Sequence, residues 1–202
     1  PSLFIRGSNS THALFLIDGQ RINSASSGAA PYRIIDPSQI ERIEIVRGAK
    51  SSIYGSDAIG GVIQIFTKKG DFKPSTMIST EVGSDALKRT AVSTRGKYNQ
   101  LRYSLNLSYL ETDGIDATTD TEGYQRDDDG YRNRSINTNL GYTFDNGVNV
   151  ELNFLETYGR IYYDAGAATD PYEDSMLQNI GFNISAPLTD WWQSRIYLAR
   201  TM

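Results

Sequence analysis

The run Leu101–Tyr109 alternates without a break, with Leu101, Tyr103, Leu105, Leu107 and Tyr109 set against Arg102, Ser104, Asn106 and Ser108. On a helix these residues would scatter over every face, so the pattern requires a strand with one apolar and one polar side. The same period returns with even positions apolar: Ile136, Leu140, Tyr142 and Phe144 against Asn137, Asn139, Gly141 and Thr143. It returns again at Val148, Val150, Leu152 and Phe154 against Asn149, Glu151 and Asn153. Ile180, Phe182, Ile184 and then Trp192, Ile196, Leu198 continue it, with weaker versions over 76–82 and 88–97. The sequence from 75 to 202 therefore predicts seven strands.

The connections alternate in length. Short turns fall at 98–100, 145–147 and 187–190, long polar loops at 111–134 and 159–175, and Gly83-Ser84 marks one brief loop. Strands of about ten residues, tight at one end and long-looped at the other, are the pattern of an outer-membrane barrel. Tyr98, Tyr109, Tyr142, Phe144, Tyr158, Trp191 and Trp192 near the strand ends suit an interfacial girdle. A soluble antiparallel sandwich also alternates. The uniformly Asn, Ser, Thr, Arg and Gln polar face favours a water-filled lumen. Seven strands leave an open edge, which lipid does not tolerate, so further strands are expected after Met202.

Composition agrees. No stretch of 18 consecutive apolar residues exists, which excludes a transmembrane helix and says nothing about barrel strands. The mean hydropathy is -0.44. A net charge of -4 and a pI near 5.0 give no reason to expect nucleic acid. There is no cysteine, hence no disulfide or thiolate metal site, and the single histidine, His12, makes zinc improbable. The chain opens on Pro1-Ser2-Leu3 with no leader and reads as an internal piece of a longer protein.

Residues 1–74 differ in character. Leu14–Ile17 is apolar and closes on Asp18-Gly19, a tight-turn signal, before Gln20–Asn23: a buried hairpin. Residues 24–32 are small and flexible. Pro37–Glu41 suits one helical turn. Glu41–Val46 suits a half-buried strand through Ile43 and Ile45, Ser51–Ala58 a short helix or turn, and Val62–Thr67 a last strand. This segment holds too little apolar material to stand alone.

Four stretches carry a resemblance: Leu3–Gly7 (LFIRG), Leu16–Gly19 (LIDG), Ile43–Gly48 (IEIVRG) and Ser52–Val62 (SIYGSDAIGGV). They resemble the plug of TonB-dependent outer-membrane receptors, and within that family the chain is most similar to the receptors for the vitamin cobalamin. The resemblance implies an all-β antiparallel transmembrane barrel, present here as seven of about 22 strands. A small α+β plug (residues 1–74) would sit in the lumen, and residues 75–202 would be the N-terminal part of the barrel. It also implies an outer-membrane location, contact with lipid and coupling to TonB through an N-terminal box upstream of Pro1.

Carboxylates crowd the long loops: Asp113, Asp116, Asp120, Glu122 and Asp127–Asp129 before Gly130, then Asp164, Asp170, Glu173 and Asp174. Oxygen ligands at i and i+2 followed by glycine suit calcium, although the spacing is not that of an EF-hand. A solvated acidic loop is the bland alternative. The family resemblance favours calcium on Asp116, Asp127, Asp129, Asp164 and Asp170, ordering the loops as a ligand mouth.

On the plug, Ser8, Asn9, Ser10, Asn23, Ser24, Ser26, Ser27 and Tyr32 would face the vestibule. Small side chains there admit a bulky ligand and supply hydrogen bonds, unless the segment is a plain linker. Tyr162 and Tyr163, with Tyr158, offer flat faces to a ring ligand or pack in the girdle. Arg6, Arg47, Glu41 and Glu44 are expected to form intra-plug or plug-to-barrel ion pairs as buried charges. Gly60-Gly61 lacks the following Lys-Ser/Thr of a phosphate loop. The function expected first is TonB-dependent import of cobalamin, and second of a ferric siderophore. A non-transport barrel, adhesin or enzyme, is the remaining class, and no catalytic set is visible. Phage or bacteriocin binding to the long loops is compatible with either importer.

Overall fold

The computed structural model describes residues 3, 5, 7, 10–24, 26–48, 54–55, 58–70, 73–116, 128–163 and 171–202. Ala13–Ile17, five apolar residues in a row, forms strand β1 and is buried on both faces. Asp18 and Gly19 adopt φ of +48° and +86°, the left-handed pair that turns a two-residue hairpin, and the chain returns as β2 (Gln20–Arg21). The Asp18 carboxylate does more than turn the chain. It accepts from the Thr67 amide at 3.0 Å and the Thr67 hydroxyl at 2.6 Å, tying the hairpin to a strand far along the sequence.

Asp36 caps the 3-10 turn Pro37–Gln39 by accepting from the Ser38 amide at 2.6 Å, with proline at the first helical position. β3 (Ile40–Arg47) and β4 (Gly61–Thr67) follow. The sheet runs β2-β1-β4-β3, with β1 and β4 parallel and the other pairs antiparallel. The expectation of a half-buried β3 does not hold. β3 is the outer strand, Ile43 and Ile45 are 51% and 57% exposed, and nothing among the described residues covers them. The charges expected to be buried there are exposed too, although two of them pair as expected. Glu41 meets Arg95 of the barrel wall at 3.1 Å, and Glu44 meets Arg42 at 2.7 Å. Most of Ser51–Ala58 lies outside the described residues.

The remaining strands are β5 (Ser75–Val82), β6 (Lys88–Tyr98), β7 (Leu101–Thr112), β8 (Tyr131–Thr143), β9 (Asn149–Tyr162), β10 (Tyr172–Thr189) and β11 (Trp192–Thr201). They form one antiparallel meander in sequence order. Several are longer than the apolar alternation predicts. Residues 131–134, 159–162 and 172–175, expected in loops, are paired strand ends, as in Arg132↔Arg160 and Tyr172↔Tyr162. Pro187 and Leu188 also belong to β10, beside a register shift, and the turn tightens to Asp190-Trp191.

Burial in this wall is inverted relative to a soluble sheet. Ser104, Asn106, Asn137 and Asn139 are 1%, 2%, 1% and 6% exposed, whereas Leu107, Leu140, Tyr142 and Leu152 are about 40% exposed or more. A sandwich would bury the leucines against a second sheet; here the polar side covers the plug and the apolar side faces outward. The wall grips the plug mainly by its backbone. Asn133 and Thr157 side chains donate to the Ile34 carbonyl at 2.8 and 2.7 Å, Ser104 to that of Lys68 at 2.8 Å, and Thr201 to that of Arg21 at 3.1 Å. Two inward apolar residues, Leu155 and Leu177, join Phe15, Ile17, Ile22 and Ile34 in the main core cluster. At Gly159 a Cβ would overlap the Ile34 side chain, so the glycine is what lets the wall close on that residue.

Candidate ligand-binding site

Asn23 organises the loop after β2. Its Oδ1 accepts from the Phe15 amide at 2.8 Å, and its Nδ2 donates to the carbonyls of Ala13 and Gly28 at 3.0 and 2.9 Å. Ser24 supports the same loop: its hydroxyl accepts from the amides of Ser26 and Ser27, and the Ser27 hydroxyl accepts from Ala29. Gly28 turns at φ +71°, and a Cβ there would come into van der Waals contact with Thr11. The local hydroxyls thus substitute for a regular ladder and hold an arch of small residues.

Between this arch and β10 lies a cavity of about 720 Å³. Phe15 and Tyr32, stacked at 5.1 Å with their planes 6° apart, form its aromatic side, and the buried Leu177 of β10 lines it as well. Arg33 crosses to Glu173 at 3.3 Å and joins plug to wall at the edge of the cavity. Just outside it, the buried Asp36 carboxylate meets Arg89 of β6 at 2.6 Å. Burial alone would raise that carboxyl. The Ser38 hydrogen bonds and the Arg89 guanidinium outweigh it and hold Asp36 below the ordinary carboxylate value.

Of the residues expected to bind ligand, Asn23, Ser24, Ser27 and Tyr32 come together around this cavity. Asn23 does so as the anchor of the arch, with its amide group committed to the backbone. Ser26 sits on the same loop, its hydroxyl beside that of Ser24 at 3.0 Å. Ser10 belongs to the 3-10 turn Ser10–His12, and Ser8 and Asn9 lie outside the described residues. Tyr162 and Tyr163 do not line the cavity. Tyr162 ends β9 beside Tyr172, at 6.0 Å, and lines a separate recess with Asp113, Asp128 and Arg132. Sequence reasoning missed Arg33, Phe15 and Leu177. Arg33 follows Tyr32 directly, which was the one available signal.

The acidic residues divide. Glu173 and Asp174 are on β10 and are neutralised by arginines, Arg33 for the first and Arg160 for the second at 2.7 Å. Asp127, Asp164 and Asp170 lie outside the described residues. At the loop base the Asp129 amide donates to the carbonyl of Ile115, the residue before Asp116, at 3.2 Å. Among the described residues no group of three or more His, Cys, Asp or Glu is placed to hold a metal.

Residues 1–62 match the family model described as the TonB-dependent receptor plug domain. The siderophore receptor PirA from Acinetobacter baumannii superposes with a TM-score of 0.78 at 21% identity, over 97% of this chain and 32% of that one. The ferric-catecholate import receptor Fiu from E. coli K12 gives 0.78 at 16% identity, over 99% and 33%. The FpvAI–pyocin S2 complex gives 0.73 at 13% identity, over 93% and 26%. The chain spans about a third of the length of the first two receptors. It shares with them the fold of a plug seated against barrel strands.

Proposed function

We propose that this chain is part of a TonB-dependent outer-membrane receptor that captures a ferric siderophore above its plug and imports it when TonB acts on the plug. The observation that carries this is a plug-type segment held by the polar side of a sheet whose other side is apolar, the arrangement of a filled barrel in lipid. The Asn23–Ile34 arch and β10 supply a mouth with an aromatic face and an arginine, suited to a bulky polar chelate. The likeness to structures named as a siderophore receptor and a ferric-catecholate import receptor favours this ligand over cobalamin. A bacteriocin partner at the long loops is proposed from the pyocin complex.

Calcium on Asp116, Asp127, Asp129, Asp164 and Asp170 is a second proposal. It rests on the carboxylate density of the two loops and on the backbone bond that joins residues 115 and 129 at the loop base. Bound there, the ion would cancel mutual repulsion and fix the mouth. Fluorescence titration of the complete receptor with ferric siderophores and with cyanocobalamin, each with and without calcium, tests both ideas. Submicromolar binding of a ferric siderophore is expected; tight binding of cyanocobalamin alone would reverse the assignment, and calcium-independent binding would remove the metal.

A further inference from the structure

The charges around the cavity between the arch and β10 cancel in pairs. Arg33 is the one cation among its described lining residues, and Glu173 holds it at 3.3 Å. The other carboxylate oxygen of Glu173 accepts from the Ser175 hydroxyl at 3.2 Å, so both of its oxygens are engaged. Asp174, also in the lining, is held by Arg160 at 2.7 Å, and Asp36 just outside by Arg89. The rest of the described lining is uncharged and includes the buried side chains of Phe15, Ile22, Ile34 and Leu177.

The sequence adjoining this cavity is acidic. Between Thr112 and Tyr131 it holds seven carboxylates and one basic residue, Arg126. Between Tyr162 and Tyr172 it holds Asp164 and Asp170 and no basic residue. These two segments join β7 to β8 and β9 to β10 at the end of the wall where Tyr131 donates to the Arg33 carbonyl and Glu173 meets the Arg33 side chain. A field of that sign repels an approaching anion, and a multiply charged one most. Inside the cavity the same anion would lose water and find the guanidinium already committed. An uncharged complex of equal bulk meets neither cost and still covers the apolar floor. The Arg33–Glu173 pair is partly exposed and contributes little to stability, so its effect is read in selectivity.

We infer that this cavity takes a cargo without net negative charge, and that Glu173 sets the preference by neutralising Arg33. The inference rests on the siderophore reading above and narrows it to uncharged or cationic chelates, of the ferric trihydroxamate kind, against ferric tricatecholates. Titration of the complete receptor at fixed calcium with a neutral ferric trihydroxamate, a trianionic ferric tricatecholate and cyanocobalamin, followed by intrinsic fluorescence, tests it. The neutral ferric complex is expected to bind more tightly than the trianion by roughly 10-fold. Glu173→Gln should move the ratio of the two affinities about 10-fold toward the tricatecholate, and added salt should shrink that gain. Removing both charges, with Arg33→Gln added, should return the ratio toward the native one, which an effect on shape alone would not do. Native receptor that prefers the tricatecholate, or a ratio indifferent to Glu173→Gln, would overturn the inference. Binding of cyanocobalamin alone, itself uncharged, would overturn the siderophore reading and leave the charge rule standing.

Discussion

The plug sheet and the barrel wall are both β-sheets, yet they bury opposite chemistry. β1 and β4 hide Leu14, Phe15, Ile17, Val62 and Ile65, whereas β7 and β8 hide Ser104, Asn106, Asn137 and Asn139. The plug obeys the ordinary rule of a globular core. The wall uses its polar side chains as hydrogen-bond partners for the plug and leaves its apolar ones exposed, the arrangement an apolar solvent would favour. Alternation therefore reports that a strand has two different sides, and only the partner of each side says which one is inside.

The comparison breaks most decisively where the two sheets meet. Ile34 is 1% exposed between plug core and wall, so Ile34→Ala should cost about 2–5 kcal/mol in the denaturation of the complete receptor. A much smaller loss would mean that the plug is not packed against Leu155 and Leu177. On the lipid side, Leu152→Arg should cost about 2–4 kcal/mol when folding into bilayers is measured, while Asn153→Ser on the inward side should cost less. Equal costs would erase the distinction between the faces.

Gly159→Ala should cost about 1–3 kcal/mol by forcing Ile34 aside. Combining it with Ile34→Ala, which removes the Cγ2 that the new Cβ would meet, should make the double variant cost less than the sum of the two single ones. A purely additive double variant would show that the contact is not the cause.

The smallest expected effect concerns acid. The folded-state pKa of Asp36 lies below its ordinary value near 3.8. Its stabilising contribution is therefore complete above that value and is lost as the pH falls through the folded pKa. Asp36→Asn should remove this part of the acid limb below about pH 4 and cost about 0.5–1.5 kcal/mol at pH 7, because Arg89 keeps its longer contact with Glu81 at 3.8 Å. An unchanged acid limb would show that the Asp36–Arg89 pair does not titrate with folding.

The wall was legible because its apolar and polar residues differ in kind along most of each strand, and the Asp18-Gly19 turn because few residue pairs tolerate two left-handed conformations. The strand ends were not legible. Arg132, Arg134, Arg160 and Asp174 face outward above the apolar band, so pairing continues there after the apolar alternation has stopped. The exposure of Ile43 and Ile45 was hidden for the complementary reason: their spacing marks a side but not what covers it. The candidate site was half legible. Small polar residues marked the arch, but Asn23 spends its amide on partners that only the folded loop brings near. Arg33 finds Glu173 across 140 residues, a pairing no local pattern announces.

The bonds from Asn133, Thr157, Ser104 and Thr201 all end on main-chain carbonyls of the plug. Every amino acid carries that oxygen, so at these four points the wall recognises the route the plug takes, while Ile34 and the pairs Arg33–Glu173, Asp36–Arg89 and Glu41–Arg95 read its letters. Plug positions that meet the wall only through such carbonyls are thereby released to diversify, and a plug moved to another barrel has to match a path and those few side chains.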